Sequence, residues 1–355
     1  MVTPLDKLSY TARQGARVAW YMGHYFAAQR FRDAKSEAST PKPATAPAQT
    51  KPKKPSLTAE RVLADLAETF RQDLANVEAG YYPMPQDHDG SLPKLIQRSR
   101  KYFQDLPVAA ERKEKGAGRE VYSPELKQNL PAYFLQNFHY QTGGYLTEDS
   151  AELYDHQVEV LFSGSANAMR RACLVPLAEF MYGRDQRQVN LIDIACGTGR
   201  FLNFVKQAYP RLNVTASDLS EAYLKEAQAH LRHRARVDYL PANAEHVPVD
   251  DESFDVVTSI YLFHEVPPKV RRIIASEFAR LLKPGGRLIF MDSLQYGDAE
   301  GYDGMLESFP ANFHEPYYPS YIRENLAEIF QEAGLQVKEE KAIFLSKLVV
   351  ADKPT

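Results

Sequence analysis

The chain of 355 residues is 44% hydrophobic, which allows a sizeable core and suits one α/β domain with an extension. A formal net charge of −3 argues against nucleic acid as the default partner. The two cysteines, Cys173 and Cys196, are far apart and match no metal spacing, so we expect a cytoplasmic protein.

The N-terminal 56 residues carry the basic excess of the chain, with ten Lys and Arg against three Asp and Glu. Residues 1–35 predict a basic amphipathic segment, and the Pro/Ala/Lys-rich residues 36–56 predict a disordered linker. A helix over Tyr10–Phe31 would rest on an anionic membrane surface or pack on the neighbouring cap. No apolar run approaches the roughly 18 residues that span a bilayer. Arg13 and Arg17 interrupt any signal-peptide core. The predicted apolar face of this helix is flanked by Arg13, Arg17 and Arg30 and comprises Val18, Tyr21, Met22, Tyr25 and Phe26.

Residues 57–150 predict a helical cap, because apolar residues recur at helical spacing between turn signals. The predicted pieces are a helix beginning at Ser56 or Thr58, a shorter helix over 91–106, a polar irregular stretch over 107–131, and an aromatic-rich stretch with a Gly-Gly turn over 130–147.

From residue 151 the pattern changes to alternating strands and helices, so residues 151–355 predict one α/β domain. A lead-in helix over Ser150–Met181 has a predicted break near Ser163–Gly164. The last two strands lie too close together for a helical crossover and must form an antiparallel hairpin. The predicted fold is a Rossmann-like, seven-stranded, mainly parallel sheet. Strands are predicted at 189–195, 212–217, 236–241, 254–260, 286–292, 335–340 and 343–351, and helices at 199–209, 220–232, 268–282 and 320–334.

The stretch Leu191–Arg200, LIDIACGTGR, predicts a nucleotide-binding turn between a strand and a helix. A dinucleotide fingerprint needs a third glycine, but Leu202 occupies that place. Asp193, four residues before the first glycine, disfavours a pyrophosphate and favours a ligand with a cationic amino group. S-adenosylmethionine carries an ammonium and a sulfonium but no phosphate, so it suits this turn better than NAD.

The same stretch resembles motif I of the class I S-adenosylmethionine-dependent methyltransferases, and three more signatures follow in the family's order. They are LNVTASDLSEAYLKEA, PANAEHVPVDDESFDVVTSIYLFHEVP and LLKPGGRLIFMDS, which resemble the second strand, the adenine loop with the fourth strand, and the fifth-strand segment. The resemblance covers about residues 150–355. It implies S-adenosylmethionine as cofactor and S-adenosylhomocysteine as product.

The resemblance assigns cofactor-binding roles to individual residues. Gly197 and Gly199 would let the backbone approach the methionine part, whose ammonium Asp193 would attract. Asp218 would accept both ribose hydroxyls. Asn243, where the family often has Asp, would accept from the adenine amino group. The remaining predicted cofactor residues are Tyr154, Ala195, Leu219, Ala244 and Tyr261.

The lead-in helix, ELYDHQVEVLFSGSANAMRR, resembles the entry segment of the quinone C-methyltransferases of ubiquinone and menaquinone synthesis. The corresponding positions, in order, are Tyr154, Asp155, Gly164 and Arg170. Val158 and Glu159 replace the family's Asn-Asp pair, and the cap and basic tail have no counterpart there. The resemblance therefore implies a lipid-like or ring-bearing acceptor without specifying a quinone.

Two His-Glu pairs are the candidate catalytic residues. His264 and Glu265 follow the fourth strand on the cofactor side of the sheet, and histidine suits proton removal near neutral pH. Neither pair has a second His or Cys at helical spacing, so no metal site is predicted. The second set lies in the lid-like stretch Phe309–Tyr321, which would cover the acceptor pocket, and consists of His314, Glu315 and Tyr317.

The sequence thus predicts an enzyme that transfers a methyl group from S-adenosylmethionine to a carbon or oxygen of a small, largely apolar acceptor. One alternative is O-methylation of a carboxylate or phenol on a fatty or polyketide-like compound, which needs little help from a base. Another is a non-catalytic S-adenosylmethionine-binding partner protein, against which the intact Gly197, Gly199 and Asp218 argue. No nucleic-acid partner is expected, and membrane-surface contact would run through residues 1–32.

Overall fold

The computed structural model describes residues 2–38, 57–87 and 89–355. The predicted linker lies outside the described residues, except for its first three residues, which end the first helix. The helices are α1 (Pro4–Ala38), α2 (Ala59–Glu78), α3 (Leu92–Lys115), α4 (Glu148–Leu161), α5 (Ala166–Ala172), α6 (Leu174–Met181), α7 (Arg200–Ala208), α8 (Glu221–Leu231), α9 (Pro268–Leu281), α10 (Asp303–Asn312), α11 (Tyr318–Tyr321) and α12 (Leu326–Glu332). The strands are β1 (Asn190–Ile194), β2 (Asn213–Asp218), β3 (Val237–Pro241), β4 (Phe254–Ile260), β5 (Leu282–Ser293), β6 (Gln336–Ile343) and β7 (Ser346–Asp352).

The seven strands form one sheet in the order β3-β2-β1-β4-β5-β7-β6. The first five strands are parallel, and β7 runs antiparallel to both β5 and β6. The predicted fold class is therefore confirmed. The chain order reverses between β1 and β4, so a crevice opens at their carboxyl ends, where open α/β sheets bind ligands.

Two helical predictions needed correction. Residues 107–131 were expected to be irregular, but α3 continues through Pro107 to Lys115 and ends on Gly116 in the left-handed conformation. Ala, Glu, Arg and Lys are strong helix formers, so the polarity of this stretch did not indicate a loop. The helix predicted over 320–334 is divided into α11 and α12.

The side of α1 that packs on the protein differs from the predicted face. Its buried side chains recur every three or four residues, and they include Arg17, which was expected only to flank an apolar face. Arg17 is ion-paired with Asp89 and, through Nη2, with Glu159 Oε1 at 2.9 Å. Tyr25 and Phe26, predicted to be on the apolar face, are exposed. The buried set is Tyr10, Gln14, Arg17, Tyr21, His24 and Ala28.

A second buried ion-pair group joins the cap to the sheet domain. The fully buried Arg171 of α5 donates to Asp73 of α2 at 2.6 and 2.9 Å and to Asp87 at 2.6 Å. Tyr10 of α1 also donates to Asp73 at 2.5 Å. Val77 of α2 belongs to the same apolar cluster as the central strands. The cap and the sheet domain thus share a core, and the boundary at residue 150 stays a prediction.

Among the described residues, every helix is too short or too polar to cross a lipid bilayer.

Candidate active site

The glycine turn after β1 adopts a backbone conformation that favours glycine at two positions. Gly197 and Gly199 both have positive φ values, 55° and 74°. A Cβ on Gly199 would lie 3.0 Å from Leu231 and 3.2 Å from Ala227. Glycine is therefore needed here for two reasons, the backbone conformation and the close approach of α8.

A cavity at the carboxyl ends of β1, β2 and β4 brings together most of the predicted cofactor residues. Two of the predicted residues, Asp193 and Gly199, do not line it. Asp193 is buried in β1, where Thr258 Oγ1 donates to its carboxylate at 2.6 Å. Burial raises the pKa of Asp193 to about 7, against the lowering effect of that hydrogen bond. The predicted residues that do line the cavity are Tyr154, Ala195, Gly197, Asp218, Leu219, Asn243, Ala244 and Tyr261.

Asp218 lies at the end of β2 and is fixed by the backbone on both sides. Its Oδ2 accepts from Gly197 N and its Oδ1 from Ser220 N, each at 2.8 Å. Burial raises the pKa of Asp218 to about 6, against the lowering effect of the backbone amides. The carboxylate therefore ties the glycine turn to the start of α8 and still has lone pairs for a ligand's hydroxyl groups.

Asn243 lines the same cavity, and its side chain is hydrogen-bonded to Glu245. Its Oδ1 accepts from Glu245 N at 3.0 Å, and its Nδ2 donates to Glu245 Oε1 at 3.2 Å. Tyr133 of the cap donates to the same Glu245 oxygen at 2.7 Å. The amide that is predicted to meet the adenine is thus part of a network that includes the cap.

The cap supplies an aromatic wall to this cavity, which the sequence analysis did not assign to the site. Tyr145 Oη donates to Glu265 Oε1 at 2.5 Å and its ring stacks on Phe138, with centroids 5.3 Å apart. The density of aromatics over 130–147 was visible in the sequence, but nothing local indicated the surface on which they pack. The aromatic residues that line the cavity and were not predicted are Tyr133, Phe134, Phe138, Tyr145 and Tyr223.

A second cavity of about 730 Å³ adjoins the first, and Tyr154, Tyr261 and Glu265 line both. Its walls come from distant parts of the chain, with Tyr25 and Gln29 from α1 among them. The apolar side chains of its walls are Val158, Leu161, Phe162, Met305, Leu306, Phe309, Phe313 and Leu345. The second cavity therefore has room for a small, largely apolar molecule beside the cofactor cavity.

His264 and Asp292 form a buried pair at the second cavity. His264 Nδ1 lies 2.5 Å from Asp292 Oδ1, while Asp292 Oδ2 accepts from Phe263 N at 2.7 Å. Burial lowers the pKa of His264, but the Asp292 carboxylate outweighs it and raises that pKa to about 10. Asp292 was missed in the sequence analysis, although an acid at the end of a strand next to β4 is a usable signal.

Glu315 is the most deeply buried of the predicted catalytic residues, with a side chain that is 0% exposed. His139 Nε2 lies 3.1 Å from its Oε1, yet neither oxygen of Glu315 accepts a hydrogen bond within the described part of the chain. Burial raises the pKa of Glu315 well above its ordinary value. Burial likewise raises the pKa of Glu265 to about 7 and lowers that of His139 to about 3.

His314 and Tyr317 do not line either cavity. The ring of His314 packs on Gly118 of the cap, where a Cβ would lie 2.2 Å from its Cε1. His314 Nε2 lies 2.9 Å from the side-chain amide of Gln136. The structure therefore separates His314 from Glu315, its neighbour in the sequence.

The sheet order, the positive-φ glycine turn and Asp218 at the end of β2 form the arrangement expected for a class I S-adenosylmethionine-dependent methyltransferase domain. Residues 191–286 match the family profile described as "Methyltransferase domain".

Comparison with known proteins finds two kinds of curated relative. The chain is 30% identical over 162 residues to the ubiquinone/menaquinone biosynthesis C-methyltransferase UbiE of Methylobacterium nodulans, covering 45% of this chain and 62% of that protein. It is 31% identical over 136 residues to the phthiotriol/phenolphthiotriol dimycocerosates methyltransferase of Mycobacterium tuberculosis, covering 37% of this chain and 49% of that protein. The chain thus spans less than two thirds of the length of these relatives.

A solved structure of human N-acetylserotonin methyltransferase in complex with S-adenosylmethionine is also similar. It has a TM-score of 0.49 and 15% identity, over 73% of this chain and 70% of that one.

Proposed function

We propose that this chain transfers the methyl group of S-adenosylmethionine to a carbon or oxygen atom of a small, largely apolar acceptor. The observation that carries the proposal is the junction of the two cavities at Tyr154, Tyr261 and Glu265. Methyl transfer is a direct substitution, so the acceptor atom must be aligned with the sulfonium methyl. A cofactor cavity that adjoins an apolar cavity provides this alignment.

His264 is the residue that we propose to accept the acceptor's proton. Because Asp292 raises the pKa of His264 to about 10, the ring acts as a base only in the molecules in which it is neutral, so methyl transfer should increase as the pH rises toward 10. His264 Nδ1 is engaged by Asp292, which fixes the ring and leaves Nε2 for an acceptor in the second cavity. A histidine oriented by a carboxylate is a common arrangement for proton transfer. The junction residue Glu265, held by Tyr145, lies beside it, with 3.7 Å between Glu265 Oε1 and His264 Nε2.

The class of acceptor is inferred from the cavity walls and from the relatives. The second cavity is lined by Phe309, Phe313 and several aliphatic side chains. The curated relatives are named for ubiquinone and menaquinone biosynthesis and for phthiotriol dimycocerosates. These observations favour a ring-bearing or lipid-like acceptor over a peptide or a nucleic acid.

The test is transfer of an isotopically labelled methyl group from S-adenosylmethionine into a lipid extract, followed by mass spectrometry. We expect a product heavier by one labelled methylene unit when the full chain is present. His264→Gln should abolish most of the transfer and leave S-adenosylmethionine affinity unchanged. His233→Gln, at an exposed histidine in the turn after α8, is the matched control.

Two results would contradict the proposal. Absence of transfer into any component, with cofactor binding intact, would favour a non-catalytic binding protein. Full turnover by His264→Gln would instead favour O-methylation of an acceptor that needs no base.

Membrane-surface contact through α1 stays part of this proposal. Leu8 and Phe26 are exposed and lie 18 residues apart, so they share one side of the helix. Replacing both by Glu should reduce co-sedimentation with anionic vesicles more than the same double change at Ser9 and Ala27, which are exposed on another side of the helix. Equal sedimentation of all variants would rule out this contact.

A further inference from the structure

Three side chains from distant segments lie close together beside the second cavity, which is the proposed acceptor cavity. His139 belongs to the cap, Glu265 follows β4, and Glu315 follows α10. The ligand atoms that they offer, one imidazole nitrogen and two carboxylate oxygens, all lie within 4.8 Å of one another. His139 and Glu265 line the cavity itself.

Glu315 makes this cluster unusual, because its side chain is buried without a hydrogen-bond partner in the described residues. A buried carboxylate costs several kcal/mol unless it is paired, protonated or bound to a cation. His139 Nε2 lies 3.1 Å from Glu315 Oε1 without making a hydrogen bond to it, and His264 engages Asp292 instead. Within the described residues, the Glu315 carboxyl group therefore has no hydrogen-bond partner, and it is either protonated or available to a cation.

We propose that His139, Glu265 and Glu315 bind a divalent transition-metal cation of the Mn²⁺ or Zn²⁺ class. One imidazole and two carboxylates are ligands that these ions accept. Bond lengths of about 2.0–2.2 Å would bring the three ligand atoms closer together by small side-chain movements. The hydrogen bond from Tyr145 to Glu265 would orient that ligand from the outside.

A cation at this site would also limit the kind of acceptor that the protein methylates. This statement about the acceptor rests on the proposed function. Because His139 and Glu265 line the second cavity, a cation bound by them would lie at its wall, within reach of the acceptor. A cation there would bind an acceptor oxygen and stabilise its anionic form, as a Lewis acid does. The acceptor would then carry a phenolate, enolate or carboxylate oxygen next to the atom that is methylated.

The test uses the full chain, stripped with a chelator and titrated with the metal alone. Mn²⁺ binding is followed by electron paramagnetic resonance and Zn²⁺ binding by calorimetry, without cofactor or acceptor. We expect one ion per chain, and at least about tenfold weaker binding for Glu315→Gln and for His139→Gln. His314→Gln is the matched control, since this residue adjoins Glu315 in the sequence but lies outside the cluster.

Circular dichroism and S-adenosylmethionine affinity establish that each variant is folded. Absence of stoichiometric binding of both ions, or unchanged affinity in both cluster variants, would overturn the inference. Since the titration needs no methyl transfer, its result is independent of the proposed function. A chain that binds one ion but methylates nothing would overturn the proposed function and leave the metal site standing.

Discussion

Replacement of Asp218 by alanine is the sharpest test of the cofactor site. In the structure this carboxylate accepts two backbone hydrogen bonds, from Gly197 and Ser220, and it faces the cofactor cavity. The proposed ligand adds two ribose hydroxyls as donors. Alanine would remove both ribose contacts and would also release the glycine turn from α8.

The expected loss of binding free energy for S-adenosylmethionine follows from the number and type of hydrogen bonds to the ribose. A hydrogen bond to a charged group contributes about 1.5–3 kcal/mol, so two ribose contacts contribute about 3–6 kcal/mol. Water in the enlarged cavity would recover part of this loss. We therefore expect a loss near the lower end of this range, about 3 kcal/mol, which is roughly a 100-fold increase in Kd.

Isothermal titration calorimetry with S-adenosylmethionine measures the effect directly. Asp238→Ala is the matched control, because Asp238 lies on the adjacent strand β3 with an exposed side chain. Asp218→Asn should also bind weakly, since its amide NH₂ would face one of the two backbone N–H donors. Binding by Asp218→Ala within threefold of the unmodified chain would show that this residue does not hold the ribose.

Three further predictions concern pH and stability. Because burial raises the pKa of Asp218 to about 6, S-adenosylmethionine affinity should fall as the pH drops below 6, and calorimetry of Asp218→Ala should show no such dependence. Arg171→Met should cost about 3–5 kcal/mol in urea unfolding by removing the nearest cation from two buried carboxylates. Arg187→Met at an exposed pair should cost under about 1 kcal/mol. Burial raises the pKa of Asp155, but Arg200 outweighs this and lowers it overall. The stability that the ionised Asp155 contributes is therefore present above its unfolded pKa of about 4 and is lost as the pH falls below that value. Between pH 5 and pH 3, the Asp155→Asn variant should lose less unfolding free energy than the unmodified chain. An equal loss in the two proteins would contradict the pairing of Asp155 with Arg200.

The sheet could be predicted from the sequence because its signals are local. Apolar runs, glycine turns and helical periodicity can each be recognised within about ten residues of sequence. The strands β1 and β4 therefore lie almost where they were predicted. Most of the predicted cofactor residues line the first cavity for the same reason, since they lie at or near the ends of strands, and their role in binding stays a prediction. The turn at Gly197–Gly199 required a particular backbone, which its residue types indicate directly.

The acceptor side could not be predicted in this way, because it depends on contacts between distant segments. Tyr145 and Glu265 are 120 positions apart and still share a hydrogen bond. His314 and Glu315 are adjacent in the sequence, but one packs on the cap and the other points into the cluster. The side chains of adjacent residues in a non-helical stretch can point in opposite directions. The amino-acid composition does not indicate which of the two side chains is buried.

The helix α1 contributes Tyr25 and Gln29 to the acceptor cavity while its other end is anchored by Tyr10 and Arg17. The cavity-lining Tyr25 and Gln29 directly follow His24 and Ala28, which are buried against the protein. Under the proposed function, substitutions at Tyr25 and Gln29 would change which acceptor fits, while Tyr10 and Arg17 would still hold the helix in place. Engineering for a new acceptor therefore has a starting point in α1.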